Sequence, residues 1–262
     1  MTMNPISEKE EVKRLLILAI LAGRIMLKNG AETYRVEDTI IRICKSRKNI
    51  KYVESFVTPT GIFVSLEYGE EVLSYLQRIN TIKIDLNKIN MVNDFSRQFV
   101  SSDMNIEEAT KKLKKIDDID NYKSITRFFS GGIICAFFSL LFGGSFLDFL
   151  ASFFTGIIVV AISTKLNNLG ITFFISNFSG AAIASLLSIL FVKIGIGTNI
   201  DKIIIGSIMS LVPGVAITNA IRDTMSGDFV SGLSRGMEAV ITAMAIAFGV
   251  GMILKIYFKG LI

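Results

Sequence analysis

The sequence contains no histidine and no tryptophan, only three prolines and only two cysteines. With no histidine, no paired cysteines and no EF-hand spacing, nothing in it supports a metal site. Cys44 and Cys135 fall in separate regions and suggest no disulfide framework. A stripe of basic residues free of acids, which a nucleic-acid surface needs, is also missing. The net charge is only +5, and Lys and Arg are interleaved with Asp and Glu. Nor is there a Gly-rich phosphate loop, a nucleophile–base pair or a carboxylate pair at telling spacing. Nucleic acid is therefore not an expected partner, no cofactor is expected, and the chain does not read as an enzyme.

What is present is divided unevenly. Up to Arg127 there are 21 basic and 18 acidic residues; from Phe128 onward there are seven and five. Glycine runs the other way, with four before that point and seventeen after it. Two regions in different solvents explain this division. The expected fold is an α-helical polytopic membrane bundle of about five transmembrane helices, residues 125–262, preceded by a small α+β cytoplasmic domain, residues 1–124.

In the first region Val12, Leu15, Leu16, Ala19, Ala22, Gly23 and Met26 follow i, i+3, i+4 spacing. The run Leu15 to Leu27 is too short to span ~30 Å of hydrocarbon. The start before it mixes Glu with Lys and Arg, unlike a signal peptide, so it reads as a buried helix. Asn29-Gly30 ends it, and a second helix is expected from Thr33 to Lys48. Tyr52–Val57 and Ile62–Tyr68 read as a hairpin around Thr58-Pro59-Thr60-Gly61. Thr81–Ile84 suggests a further short strand. Leu86 to Phe99 marks a helix. Asn105 with Glu108 resembles a capping box opening another, and Asp117–Lys123 reads as a linker. Glu32, Arg35, Glu37 and Asp38 crowd the start of the second helix and read as helix-start acids and a solvated face.

In the second region, spans are expected near 125–146, 149–165, 171–193, 202–220 and 232–258. Small residues recur at helix-packing spacing in Gly180/Ala184/Ser188, in Gly232/Gly236 and in Ala239/Ala243/Ala247/Gly251, which reads as packing within the bundle. Pro213 lacks an N–H and clashes with the carbonyl of Met209, so the fourth span should kink or break at Pro213-Gly214. Transporters use such breaks for substrates and ions. Asn219, Arg222, Asp223, Asp228, Arg235 and Glu238 crowd the stretch that follows. Arg235 and Glu238 can meet at i, i+3. An acid one turn inside a span is costly unless paired, protonated or facing water, so Glu238 reads as functional.

These residues together resemble the threonine/serine exporter family. The resemblance rests on Gly30-Ala31-Glu32-Thr33-Tyr34-Arg35-Val36-Glu37. It rests equally on Leu211-Val212-Pro213-Gly214, Thr218 to Asp223, Ser226-Gly227-Asp228 and Gly232 to Ala239. It implies a cytoplasmic N-terminal domain in the bacterial inner membrane, and export of small amino acids or dicarboxylates such as succinate. Stopping after five spans, the chain resembles the larger subunit of the split form. Its implied partner is a small membrane subunit of about four spans, within the lipid bilayer; a homo-oligomer stays open. On this reading Pro213, Gly214, Asn219, Arg222 and Arg235 bind or pass the small-molecule substrate, and Asp223, Asp228 and Glu238 are proton-coupling candidates. Two other readings compete. One is a membrane-anchored regulatory or scaffold protein. The other is an intramembrane aspartyl hydrolase, for which Met225-Ser226-Gly227-Asp228 lacks the first glycine of the required motif.

Overall fold

The computed structural model describes residues 8–47, 50–119 and 122–261. The chain is mostly helical, with one small sheet near its N-terminus. Its elements run α1 (Glu8–Lys28), α2 (Thr33–Lys45), β1 (Tyr52–Thr58), β2 (Gly61–Tyr68), β3 (Glu71–Arg78), α3 (Leu86–Val100) and α4 (Ile106–Asp117). They continue as α5 (Ser124–Leu141), α6 (Phe146–Asn168), α7 (Phe173–Lys193), α8 (Ile200–Ile208), α9 (Gly214–Met225) and α10 (Phe229–Phe258). Two compact units result. One groups Met1–Asp120 with Val215–Gly236, the other Asn121–Gly214 with Met237–Ile262.

In the first unit α1 is apolar on most of its circumference, so it runs through the core. Leu15, Leu18, Ala19, Ala22, Ile25, Met26 and Leu27 are all buried. Val36, Ile40, Ile43 and Cys44 of α2 pack on it, as do Val57, Ile62, Val64 and Leu66 of the sheet and Val92, Phe99 and Leu113 of α3 and α4. Each large side chain so buried contributes about 1.5–3 kcal/mol. The expected hairpin is present, with Thr58 opposite Gly61. The second helix stops at Lys45, and its expected end at Lys48 lies outside the described residues. Asn105 caps α4 by accepting from the Glu107 N–H at 2.9 Å, while Glu108 pairs with Lys112 and not with the cap.

The third strand is Glu71–Arg78, not Thr81–Ile84, and it pairs antiparallel with β2 across a two-residue turn at Gly69-Glu70. Residues 81–84 are instead spent on the end of α1, where the Lys83 N–H donates to Lys28 O at 2.8 Å and the Asp85 N–H to Asn29 O at 3.1 Å.

Among the described residues, four helices are long and apolar enough to cross a membrane: α5, α6, α7 and α10. The stretch expected as the fourth span, 202–220, is two short helices, α8 and α9, with an irregular segment at 209–213 between them. Proline at 213 cannot donate a helical hydrogen bond, so the helix ends before it and restarts at Gly214. The first span ends earlier than expected, at Leu141. The second runs on through Lys165 to Asn168.

The row Gly180, Ala184 and Ser188 is buried, with Ala181, Ala184, Val159, Leu211 and Ile246 forming the apolar centre. The row on α10 behaves differently. Ala239 is buried, but Ala243, Ala247 and Gly251 are exposed, so that face does not pack within this chain.

Candidate functional site

The site begins where α1 stops. Gly30 takes φ +91°, a left-handed conformation open to glycine at little cost. Its N–H bonds to Leu27 O, and the Ala31 N–H reaches back to Met26 O at 3.1 Å, closing a Schellman-type end. The chain then turns directly into α2. Glu32 stands at the N-cap position but its side chain does not cap, so the first N–H groups of α2 need acceptors from elsewhere.

Those acceptors come from α9 and the turn after it. The Thr33 N–H donates to Asp223 Oδ1 at 3.2 Å, and Thr33 Oγ1 donates to Asp228 Oδ2 at 2.8 Å. A carboxylate at a helix N-terminus also meets the positive end of the helix dipole. The two carbonyls of the turn are taken as well: Asn219 Nδ2 donates to Gly30 O at 2.9 Å, and Arg235 Nη2 to Ala31 O at 2.8 Å. Arg235 Nε then lies 3.1 Å from Asp223 Oδ2, an ion pair without hydrogen-bond alignment. Glu32 bridges Arg222 and Arg35, the latter at 3.1 Å. Asp223 is fully buried, and Asn219, Arg235 and Glu32 are nearly so.

The α9–α10 hairpin that supplies these groups is itself closely fitted. Asp228 caps α10 by accepting from the Ser231 N–H at 3.1 Å, and its own N–H donates to Asp223 O at 2.9 Å. Gly232 allows the two helices to meet: a Cβ there would lie 2.1 Å from Thr224 Oγ1 and 3.0 Å from the Ala220 carbonyl. At this hairpin Asp223 and Arg235 end up side by side.

Electrostatics divide the acids. Glu37, which accepts from the Val57 N–H at 2.8 Å, is raised by burial and by the nearby negative charges of Asp228, Asp223 and Glu54. Glu32 goes the other way. Burial opposes its charge, but its own N–H, Arg222 and Arg35 outweigh burial and lower it.

The second unit carries a separate polar set. Asp148, fully buried, closes a capping box with Ser145 at the start of α6. It also accepts from the Thr198 and Asn199 N–H groups at 2.7 and 2.9 Å, and from both of their side chains. The α5–α6 turn and the α7–α8 loop are thereby tied at one end of the unit. Further along the same face of α6, Ser152, Thr155 and Ser163 have buried hydroxyls with no hydrogen-bond partner among the described residues, as do Ser139 on α5 and Ser207 on α8.

Residues 17–257 match a family model described as "Putative threonine/serine exporter". The chain belongs to the threonine/serine exporter family. It is 22% identical over 252 residues to the Klebsiella aerogenes "Probable succinate transporter subunit YjjP", covering 96% of this chain and 97% of that one. The Escherichia coli protein of the same name is 22% identical over 255 residues, 95% and 97%. The Corynebacterium glutamicum "Threonine/serine exporter" is also 22% identical over 255 residues, 94% of this chain but 52% of that protein, so the chain spans about half its length. No solved structure matches significantly.

Of the family residues singled out from the sequence, Asn219, Arg222, Asp223, Asp228 and Arg235 come together around the α1–α2 turn. Pro213 and Gly214 form the break between α8 and α9, and no atom lies within 4 Å of where a Gly214 Cβ would stand. Glu238 does not join Arg235, whose acid partner is Asp223; it is exposed, with no ion pair among the described residues. Glu32 and Glu37 had been assigned to a solvated face. Glu32 is buried and Glu37 half-buried, because the hairpin of α9 and α10 covers the start of α2 and β1 lies beside Glu37. Thr33 was not singled out, although it makes two of the bonds that join the blocks. The signal was there in the block itself, which places two polar residues where an apolar helix has just ended.

Proposed function

We propose that this chain is the larger subunit of a two-component secondary exporter for small amino acids or small dicarboxylates, working with a second membrane chain of about four spans. One observation carries the reading. Two sequence blocks about 190 residues apart close into one buried polar cluster, with an ionisable pair at its centre. A scaffold has no use for a buried Asp–Arg pair beside a broken helix, whereas a transporter needs a group that exchanges charge partners.

In this reading residues 1–124 are cytoplasmic and 125–262 cross the inner membrane five times, with α8 and α9 together making the broken fourth crossing. Asp148 binds the α5–α6 turn to the α7–α8 loop, which supports an outer end there, while the bonds from Asn219 and Asp223 to the N-terminal domain support an inner end for α9. Arg222, still largely exposed, is the first contact for a substrate carboxylate, and Asn219 orients it. A proton on Asp223 releases Arg235 to that carboxylate, which ties proton and substrate into one exchange. Asp228 holds Thr33 and the start of α10 in place, so its role is to set the position of the cluster. Glu238, exposed on α10, is the proton's route beyond it. The break at Pro213-Gly214 gives the movement. The exposed row Ala243, Ala247 and Gly251 on α10 is where the partner's helices dock, since small residues allow close approach in lipid.

The test is efflux from proteoliposomes holding this chain with and without the partner chain, loaded with threonine, serine or succinate. Efflux of one of these that needs both chains supports the proposal. No efflux of any of them from the pair, at verified incorporation, overturns it.

A further inference from the structure

The sheet of the N-terminal unit has two edges, and they are treated differently. The β1 edge is capped, because the outward Val57 N–H is held by Glu37 at 2.8 Å. The β3 edge is bare. The Ile79 N–H points to β2, at Thr60 O, so alternation along the strand turns the backbone groups of Val72, Ser74 and Leu76 outward. Among the described residues they make no hydrogen bond to another element. The strand is also unusually exposed for its composition, with Val72 66%, Leu76 59% and Tyr75 44% accessible. A bare apolar edge invites pairing with another strand unless it is charged, shortened or covered.

We propose that this edge is covered by a second copy of the same chain. The two β3 strands run antiparallel about a two-fold axis at Ser74, joining two three-stranded sheets into one of six. The hydrogen-bonding parity requires that outward residues face outward residues. With Ser74 opposite Ser74 of the second copy, Val72 meets Leu76 on the outer face and Leu73 meets Tyr75 on the inner face. Glu70 then falls opposite Arg78 at both ends of the ladder. Sliding by two residues in either direction loses both charge pairs. Self-complementary pairing of this kind is what a two-fold interface demands.

The outer face adds continuity. Phe56, Phe63 and Leu76 already lie in one cross-strand row, with the two phenyl rings 6.2 Å apart, beside a groove of about 480 Å3. In the pair, Val72 of the second copy extends that row past Leu76, so the four most exposed apolar side chains of the two edges cover one another. This assembly is independent of what the chain transports and of its membrane partner.

Directly opposed residues of a hydrogen-bonded antiparallel pair have Cα atoms about 5.5 Å apart, within the span a disulfide bridges. Ser74→Cys, oxidised with copper phenanthroline in membranes carrying the full chain, should therefore give a disulfide-linked dimer. The unsubstituted chain is the background, since Cys44 and Cys135 are buried and burial pushes the Cys44 thiol up to about 12. Ser65→Cys, one strand further in, should crosslink several-fold less. Arg78→Glu should lower the Ser74→Cys yield, and adding Glu70→Arg should restore it. Crosslinking at Ser74 no better than at Ser65 overturns the pairing, as does a yield that ignores the charge reversal.

Discussion

Replacing Arg235 with methionine tests the centre of the cluster most severely. The substitution keeps length and apolar bulk but removes the guanidinium. It leaves Asp223, fully buried, without its cation, and leaves the Ala31 carbonyl without its 2.8 Å donor. Breaking a buried pair by removing one partner costs about 3–5 kcal/mol, because the remaining charge must be neutralised or rehydrated. Replacing both at once, as Asp223→Leu with Arg235→Met, removes the stranded charge as well and should cost several kcal/mol less than the sum of the two single changes. As a control, Arg14→Met removes an exposed pair to Glu107 and should cost under about 1 kcal/mol. The assay is the denaturation midpoint of the purified full chain in detergent, across all four members of the cycle. If Arg235→Met costs no more than Arg14→Met, the pair is not the buried, coupled unit described above.

Other consequences are equally direct. Asp148→Ala removes the acceptor of three backbone and three side-chain donors, so the chain should lose roughly 3 kcal/mol or more, read as a lowered melting temperature in detergent. Gly232→Ala puts a Cβ against Thr224 and the Ala220 carbonyl and should part α9 from α10, abolishing efflux. Gly251→Ala, where no atom of this chain lies within 4 Å, should leave the melting temperature of the chain by itself unchanged. Glu37 has a folded pKa raised above its ordinary 4.5, so its contribution is present below that value and lost as pH rises through the folded pKa. Glu37→Gln should therefore flatten the fall in stability over that window and be neutral or stabilising at pH 7, as followed by melting temperature against pH.

Local periodicity made α1 to α4 readable, because each buries one stripe, a broad one in the case of α1. The break between α8 and α9 was readable for a different reason: proline at 213 removes a donor whatever surrounds it. The third strand was not readable from alternation. Val72 and Leu76 alternate with Leu73 and Tyr75, so both faces carry apolar residues and neither marks an inside. Glu32 and Glu37 look like any acids at a helix start, since the residues that bury or charge them lie on β1, 20 residues on, or on α9 and the turn after it, about 190 residues on. Arg235 and Glu238 illustrate the reverse error. Helical spacing allowed them to pair, but Asp223 offers Arg235 a buried partner across the hairpin, where the attraction between the two charges is less screened by water.

The measurement closest to the central claim is net efflux against an imposed pH gradient, in proteoliposomes holding both chains, for the natural sequence and for Asp223→Asn. Asparagine still accepts from the Thr33 N–H but takes up no proton. The account predicts that substrate exchange across the membrane survives in Asp223→Asn while its acceleration by the pH gradient disappears. Efflux that still follows the gradient in that variant would contradict it.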